Sequence, residues 1–343
     1  MNANTNMTVV GVDLAKNVFQ VHYVDEETGE IINKALSRKK FESFFENRSP
    51  CLIGMEACGG SHFWARKFIK LGHQVRVMPT TDVKAFNAGN KSDVRDARAI
   101  WMATKSGVTR EVAVKSEEQQ AVLCMHRILE LKKKHRVALT NQIRGLLTEF
   151  GLVLPKGAKS LREGLKEVLP ELEKVAPKML CEEISELWQD VIRLREQEAA
   201  IEKKLAVWTK TNSDCERLLE IPGVGLLTAT AVVSTVGDAN TFKNGRQLAA
   251  FFGVAPAHTG SGGKISVLGM SKRGDNYVRK LLVHCARCLV CKCKEPPKVV
   301  DRLKKKHHVN VVIGAMANRL CRIMWALMKH ETKYAKDYQH ILA

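Results

Sequence analysis

The sequence predicts an α/β N-terminal domain with a mixed sheet, followed by a long helical arm and a mainly α-helical C-terminal domain. Short apolar runs alternate with helical patterns through about the first hundred residues, as in α/β sheets. Two long helical stretches then keep apolar residues at spacings of three and four. The last third is basic and mostly helical in pattern. We place the domain boundaries at 1–112, 113–210 and 211–343.

The net charge restricts the class of partner. The 343 residues include 55 Lys and Arg against 36 Asp and Glu, a formal net charge of +19. An excess of this size indicates a polyanionic partner, and nucleic acid is the first candidate. No N-terminal stretch resembles a signal peptide, and no apolar run is long enough to suggest a membrane span. We therefore expect a cytoplasmic protein without a membrane partner, whose ten cysteines stay reduced.

The first predicted strand ends in a carboxylate. The run 9–12 is apolar and Asp13 follows it, a pattern that recurs at 51–55 with Glu56. Asp13 and Glu56 would then lie at the carboxyl ends of neighbouring strands, where open α/β sheets place their chemistry. The other elements predicted in this domain are strands over 18–24, 31–36 and 74–78 and helices over 39–47 and 63–71.

A second pair of acids falls on one helix, predicted over 90–103. Asp93 and Asp96 are three residues apart and share a helix face. With Asp13 and Glu56 they would supply the hard oxygen ligands that a pair of Mg²⁺ or Mn²⁺ ions requires, and two such ions can clamp a phosphodiester. Each acid also has a structural interpretation, Asp93 as an N-cap and Asp96 as an ion-pair partner of a neighbouring arginine.

The predicted arm consists of two long helices, over 117–150 and 180–208, separated by a segment that prolines and glycines break. Apolar residues recur at coiled-coil spacing in both helices. Lys132 and Arg136 interrupt the first stripe, and Glu198 interrupts the second. The pattern predicts a coiled coil, either as a hairpin within one chain or between copies of the chain.

Two glycine-containing stretches are candidates for contact with nucleic acid. Gly223 and Gly225 lie in an IPGVG turn that resembles a helix-hairpin-helix, in which backbone N–H groups could face a phosphate; an ordinary interhelical turn is the alternative. Farther on, the stretch 256–275 predicts a mobile cationic loop that contains Ser261. Such a loop could present a nucleophile or grip a phosphate. Its cations are Lys264, Lys272 and Arg273.

Four cysteines follow in the basic, helical region that begins at Lys272. Three of them, Cys285, Cys288 and Cys291, fall at helical spacing among apolar residues, and Cys293 follows. This spacing is typical of buried cysteines and lacks the two CxxC pairs of a zinc ribbon. We therefore favour packing over zinc.

Taken together, the motifs GVDLAK, GMEACGG, KSDVRDA, IPGVG and SGGK…LGMSKRGD resemble the DEDD transposases of bacterial insertion sequences. The family is the one-ten family, and the serine stretch is similar to that of its eleven-eleven subgroup. The resemblance implies a RuvC-like, RNase H-like N-terminal fold. It also implies that Asp13, Glu56, Asp93 and Asp96 are the four acids that bind Mg²⁺.

The resemblance implies a mechanism as well. Ser261 matches the family's serine, which attacks DNA and forms a covalent phosphoserine link, and Ser266 and Ser271 are alternatives. A structured guide (bridge) RNA would pair with donor and target DNA, and the protein would act as a dimer or tetramer near the nucleoid. Two rival functions stay open, a RuvC-like Holliday-junction nuclease that uses metal-activated water and a non-catalytic architectural protein that binds RNA or DNA.

Overall fold

The computed structural model describes residues 7–87, 90, 92–154 and 157–335, and the chain divides into two compact units. The first unit is the chain up to Gln119 together with Val236–Thr241, and the second is the remainder. The elements of the first unit up to residue 106 are β1 Val9–Asp13, β2 Val18–Val24, β3 Ile31–Ser37, α1 Arg38–Glu46, β4 Leu52–Glu56, α2 Ser61–Lys70, β5 Gln74–Met78, α3 Thr80–Val83, a 3₁₀ turn Lys84–Phe86 and α4 Asp93–Ser106.

The sheet of the first unit is mixed. Its strand order is β3-β2-β1-β4-β5, with β1 antiparallel to β2 and parallel to β4, and with β4 parallel to β5. The predicted α/β domain with a mixed sheet is therefore confirmed. The RuvC-like assignment and the three domain boundaries stay predictions.

Alternation along β1 and β4 assigns one sheet face to an aromatic core. Val10 and Val12 are fully buried in the cluster that includes Phe19, Phe41 and Trp64. Phe19 and Phe41 stack with ring centroids 4.2 Å apart. Because successive side chains of a strand point to opposite faces, the residues between these valines face the other side of the sheet.

Helix α4 covers that other side and approaches it closely at two paired glycines. Gly11 and Gly54 are register partners in β1 and β4. A Cβ on Gly11 would lie 2.5 Å from the backbone nitrogen of Trp101, and a Cβ on Gly54 would collide with the side chain of Thr104. The Trp101 indole also donates to the Val9 carbonyl at 3.1 Å. Helix α4 therefore packs directly against the backbone of β1 and β4, and this contact sets its distance from the sheet.

The arm of the second unit is built from α5 Glu117–Glu149, α6 Ala158–Val175 and α7 Lys178–Thr209. Helices α5 and α7 pair antiparallel: the early part of α5 packs with the late part of α7, and the late part of α5 packs with the early part of α7. Arg136 Nε lies 2.8 Å from Glu198 Oε1, and Lys133 Nζ lies 2.7 Å from Glu202. Arg136 and Glu198, which interrupt the two apolar stripes, thus pair with each other, and Lys132 donates to Gln197 Oε1 at 2.6 Å. Of the two open arrangements, the structure contains the hairpin within one chain.

The prediction of a broken segment between the long helices is wrong. Helix α6 runs through Pro170. Leu165 and Leu172 are buried in the same cluster as Ile184 and Val191 of α7. A proline removes one helical hydrogen bond, and burial of this apolar stripe offsets that loss.

The rest of the second unit is mainly helical, as predicted. It contains α8 Ser213–Leu219, α9 Leu226–Val236 at the border with the first unit, α10 Gly245–Phe251, β6 Pro256–Ser261, β7 Lys264–Met270, α11 Asn276–Cys291, α12 Lys298–Lys304 and α13 Val309–His330. Helix α13 is long and apolar enough to cross a membrane, which the sequence pattern did not suggest, but 56% of that stretch is buried in the protein. It contacts α10 and α11, as a core helix does.

A buried histidine joins three helices of this unit. His126 of α5 is 1% exposed, and its Nε2 and Nδ1 lie 2.9 Å from Thr230 Oγ1 and the Tyr277 hydroxyl. Thr230 donates to the Leu226 carbonyl, so it accepts from Nε2–H, and Nδ1 accepts from Tyr277. Burial, with a smaller contribution from Lys133, lowers the pKa of His126 to about 4. The histidine is therefore neutral at pH 7.

The serine stretch, predicted as a mobile loop, is instead a β-hairpin. Strands β6 and β7 pair antiparallel, with Ser261 opposite Lys264. The two residues between them, Gly262 and Gly263, have φ of 59° and 80°, and two positive φ angles are what a type I′ hairpin turn requires. The glycines that suggested mobility therefore close a tight turn.

Candidate active site

The carboxyl ends of β1 and β4 bring two of the predicted acids to one sheet edge. Val12 pairs with Met55 in parallel register, so Asp13 and Glu56 are the next residues along neighbouring strands. By alternation both side chains leave the sheet on the side of Gly11 and Gly54, which is the side that α4 covers. Glu56 also pairs with Met78, whose side chain packs against α4.

The first turn of α4 supplies the other two acids. Ser92 is the N-cap, and its hydroxyl accepts from the Arg95 backbone N–H. The structural interpretation of Asp93 as the N-cap is therefore wrong. Among the residues that the structure describes, neither Asp93 nor Asp96 forms an ion pair with an arginine, so the structural interpretation of Asp96 is not supported either. Lys91 of the same motif lies outside the described residues.

Three of the four acids converge. Asp13, Asp93 and Asp96 each place one carboxylate oxygen within 4.8 Å of the others. Oxygens bound to one Mg²⁺ lie about 3 to 4 Å apart, so a small closure would bring these to ligand spacing. Glu56 lies outside this group of three. The donor set, hard oxygens from three carboxylates, fits Mg²⁺ or Mn²⁺.

The pKa of Cys58 reflects the negative charge at this edge of the sheet. Cys58 is exposed, but partial enclosure of its thiol raises the pKa to about 11, and the negative charges of Glu56 and Asp13 contribute to the increase. Both carboxylates therefore act on the same neighbour, although Glu56 is outside the close group. A raised pKa disfavours the thiolate, which is the nucleophilic and metal-binding form of cysteine.

One residue at the cluster was missed by sequence reasoning. Asn87 lies just after the 3₁₀ turn, and its Nδ2 donates to Asp96 Oδ1 at 2.5 Å. No motif spacing marked this residue. Only its position as a polar residue shortly before the acid pair could have drawn attention to it.

Ser261 lies in the second unit, at the end of β6 beside the turn. Its side chain is exposed, as is that of its cross-strand neighbour Lys264. Directly opposed residues of a hairpin place their Cβ atoms about 5 Å apart, so the hydroxyl and the ammonium group can meet the same phosphate. The next pair on this face is Thr259 and Ser266.

The other predicted cations lie at the base of the hairpin. Lys272 and Arg273 are exposed, and the Lys272 backbone donates to the Gly253 carbonyl at 3.0 Å. Lys272 has φ of 56°, a left-handed conformation that only one other non-glycine residue of the described chain adopts. Strained residues that the surrounding structure holds in place concentrate at functional sites. The binding role of these cations stays a prediction.

The IPGVG turn lies against α11. A Cβ on Gly223 would be 3.1 Å from the Cys285 carbonyl oxygen. Burial raises the pKa of Cys285, and hydrogen bonds from Thr228 and the Gly225 backbone oppose that change. This packing explains glycine at position 223 without nucleic acid, and the phosphate role of Gly223 and Gly225 stays a prediction.

The cysteines do not form a metal-type cluster. Cys285 is buried with its sulfur 3.1 Å from Thr228 Oγ1, whereas Cys288 and Cys291 are exposed. Within the described ranges, the aspartate group is the only set of three or more His, Cys, Asp or Glu side chains with metal-compatible spacing. Burial of Cys285 agrees with the predicted packing, whereas the prediction is wrong for Cys288 and Cys291, which α11 exposes to solvent.

Comparison with known proteins identifies the class. Residues 10–151 match the profile of the IS110 DEDD transposase domain, and residues 215–300 match the profile described as "Transposase IS116/IS110/IS902 family". The chain is 39% identical over 334 residues to the "Probable family 20 transposase" of Pseudomonas aeruginosa, covering 96% of this chain and 99% of the relative. It is 35% identical to the IS1328 transposase of Yersinia enterocolitica (96% and 99% covered) and 36% identical to the IS1111A transposase of Coxiella burnetii (96% and 92%).

These matches define a transposase of a bacterial insertion sequence, a class of enzyme that binds, cuts and rejoins DNA. The chain belongs to the IS116/IS110/IS902 family. The DEDD domain indicates the use of a divalent metal, in agreement with the aspartate group at the sheet edge.

Proposed function

We propose that this transposase is an RNA-guided DNA recombinase that cuts strands with Ser261 and reseals them without an external energy source. The observation that carries the proposal is the convergence of Asp13, Asp93 and Asp96 at the carboxyl edge of a mixed sheet. The strand order also supports the RuvC-like assignment that the family resemblance implies. We take the catalytic acids to be these three aspartates and Glu56.

The acids are suited to hold Mg²⁺, or Mn²⁺ in its place. When bound, such a cation supplies positive charge that stabilises the scissile phosphate and the departing oxygen. Asp13 and Glu56 are held by the sheet, and Asp93 and Asp96 by the first turn of α4, so the ligand oxygens come from rigid elements. Rigid support keeps such a site close to its productive geometry.

The chemical step assigned to Ser261 is a transesterification. The hydroxyl loses its proton to a base, Oγ bonds to the phosphorus, and the bond from phosphorus to the 3′ oxygen breaks as that oxygen takes up a proton. A 3′ hydroxyl from another strand later attacks the phosphoserine, releases Oγ and restores the serine. Each step exchanges one phosphate ester for another, so no ATP is consumed. Lys264, directly across the hairpin, would stabilise the phosphate charge during both steps.

The nucleic-acid partners would be donor and target DNA and a structured bridge RNA. Lys272 and Arg273 at the base of the hairpin, and the basic helices that follow, are the surfaces proposed to contact backbone phosphates. Because neutralised phosphates release counterions, we expect RNA and DNA affinity to fall steeply with salt. A dimer or tetramer in the bacterial cytoplasm is the proposed working state.

Denaturing electrophoresis tests the proposal. The protein is incubated with labelled DNA, RNA transcribed from the end of the element, and Mg²⁺. We expect a covalent protein–DNA band that Ser261→Ala abolishes. The matched control is Ser266→Ala, which removes a second exposed hydroxyl from the same face of the hairpin and should leave the band intact.

Three results would contradict parts of this proposal, and two of them would favour another function. A Ser261→Ala protein that still cuts and rejoins DNA would indicate a nuclease with metal-activated water. A band lost in Ser266→Ala and kept in Ser261→Ala would move the nucleophile. Recombination in cells that survives both Asp13→Ala and Glu56→Ala would indicate an architectural role.

A further inference from the structure

Asn87 is tied to the aspartate group by a single short hydrogen bond. Its Nδ2 donates to Asp96 Oδ1 at 2.5 Å, and Asn87 is partly buried. The amide must present its nitrogen to Asp96, since an ionised carboxylate only accepts hydrogen bonds. The amide oxygen is enclosed and has no hydrogen-bond partner among the described residues. The amide group forms no other hydrogen bond with a described residue, so the bond to Asp96 is the interaction that orients it.

That bond constrains the carboxylate. Asp96 is attached to α4 through a side chain that can rotate, whereas the oxygen held by Asn87 is fixed relative to the 3₁₀ turn. With one oxygen held, the plane of the carboxylate is set before any cation arrives. Hydrogen bonds to a ligand from outside the coordination sphere act in this way in metalloproteins.

The chemical nature of the donor also suits a cation site. Three carboxylates whose oxygens lie within 4.8 Å repel one another, and a donor on one of them relieves part of that repulsion. A lysine or arginine in the same place would compete with a bound cation through its charge, and asparagine is neutral. The nearby Arg95 is directed elsewhere, because its guanidinium donates to the Asn90 carbonyl at 3.1 Å.

We propose that Asn87 is a positioning residue of the metal centre, which orients Asp96 for a divalent cation. The inference rests on the proposed function, because it takes the aspartates to be cation ligands. It adds to the four acids a residue outside the family motif.

The assignment is tested by measuring Mn²⁺ binding to the full-length protein. Binding is monitored in electron paramagnetic resonance as a loss of the signal of free Mn²⁺. Asn87→Ala and Asn87→Leu both remove the donor, and Leu does so at similar volume. We expect each to weaken Mn²⁺ binding about 10- to 100-fold, the range typical for outer-shell partners. At saturating Mn²⁺ the DNA-cleavage rate should return close to that of the unchanged protein, since the ligands themselves remain.

Asn47→Ala is the matched control. It also removes an asparagine hydrogen bond in the first unit, from Nδ2 to the Ser43 carbonyl at the end of α1. Its Mn²⁺ affinity should stay within about twofold of the unchanged protein. Without metal, the thermal midpoints of Asn87→Leu and Asn47→Ala should be similar.

The outcomes separate the role of Asn87 from the existence of the metal centre. Normal Mn²⁺ binding by both Asn87 variants, with binding lost in Asp96→Asn, would overturn the role of Asn87 and leave the metal centre intact. Normal binding by Asp96→Asn would overturn the metal centre, and the positioning role with it.

Discussion

The contact of α4 with the sheet at Gly11 offers the sharpest test of how the fold builds the site. In Gly11→Ala the new Cβ would lie 2.5 Å from the Trp101 backbone nitrogen, and closer still to the Ala97 carbonyl oxygen. Ordinary carbon contacts need about 3.5 Å, so the helix backbone must retreat by about 1 Å. A rotating side chain cannot relieve the clash, because both obstacles are backbone atoms of α4.

We expect Gly11→Ala to disrupt the metal site, although all four acids are still present in this variant. Overpacking of this kind costs about 1 to 3 kcal/mol of unfolding free energy. The same movement carries Asp93 and Asp96 away from Asp13, and a misplacement of about 1 Å can lower a catalytic rate on the order of 100-fold. Urea unfolding measures the first effect, and Mn²⁺ binding with DNA cleavage measures the second.

Gly59→Ala is the control for this experiment. Gly59 lies in the loop between β4 and α2, where an added methyl group would meet no heavy atom within 4 Å and the backbone is not left-handed. This variant should unfold and bind Mn²⁺ like the unchanged protein. If Gly11→Ala did the same, the close seating of α4 would not be what places the aspartates, and the reasoning would fail.

Three further predictions concern the second unit. Lys272→Gly should raise the unfolding free energy by about 1 kcal/mol relative to Lys272→Ala, because glycine adopts a φ of 56° without strain. Both variants should weaken DNA binding equally in a filter assay. Arg136→Ala should lower the unfolding free energy by about 3 kcal/mol in urea titrations, because it leaves Glu198 buried without its partner. The double variant Arg136→Met with Glu198→Leu should recover most of that loss. The pKa of His126 is about 4 in the folded state and near 6.5 in the unfolded state. The unfolding free energy should therefore fall as the pH drops from 6.5 towards 4, by up to about 1.4 kcal/mol per pH unit. Urea titrations in which His126→Gln showed the same dependence of unfolding free energy on pH would refute this.

Local patterns predicted most of the elements of the first unit. The strand 18–24 and the strand 74–78 were predicted with the observed bounds, and the first strand with Asp13 at its end was also correct. These elements follow from hydrophobic periodicity and turn residues, which are properties of neighbours in the chain. The four acids could be named for the same reason, since each stands at a recognisable end of a predicted element.

Errors arose where the outcome depended on packing between distant residues. Helix α6 continues through Pro170 because α7 buries its apolar face, which local propensity does not register. The hairpin that carries Ser261 was interpreted as a mobile loop, because Gly262 and Gly263 suit a tight turn as well as a flexible segment. Coiled-coil spacing in α5 and α7 is compatible with a hairpin or with pairing between copies, and the Arg136–Glu198 contact belongs to the hairpin.

Motifs are sufficient to assign the family, and periodicity predicts most strands and helices of the first unit, the four acids at their ends and the candidate serine, because these signals lie between neighbours in the chain. The approach of Asp13 to Asp93 and Asp96, the absence of Glu56 from their group and the hydrogen bond of Asn87 to Asp96 follow from the tertiary structure alone. The contact of Asp13 with the acids of α4 joins residues about 80 positions apart, and it depends on a helix that rests on the bare backbone of two paired glycines. A distance of that kind is set by packing between elements, which no local pattern encodes.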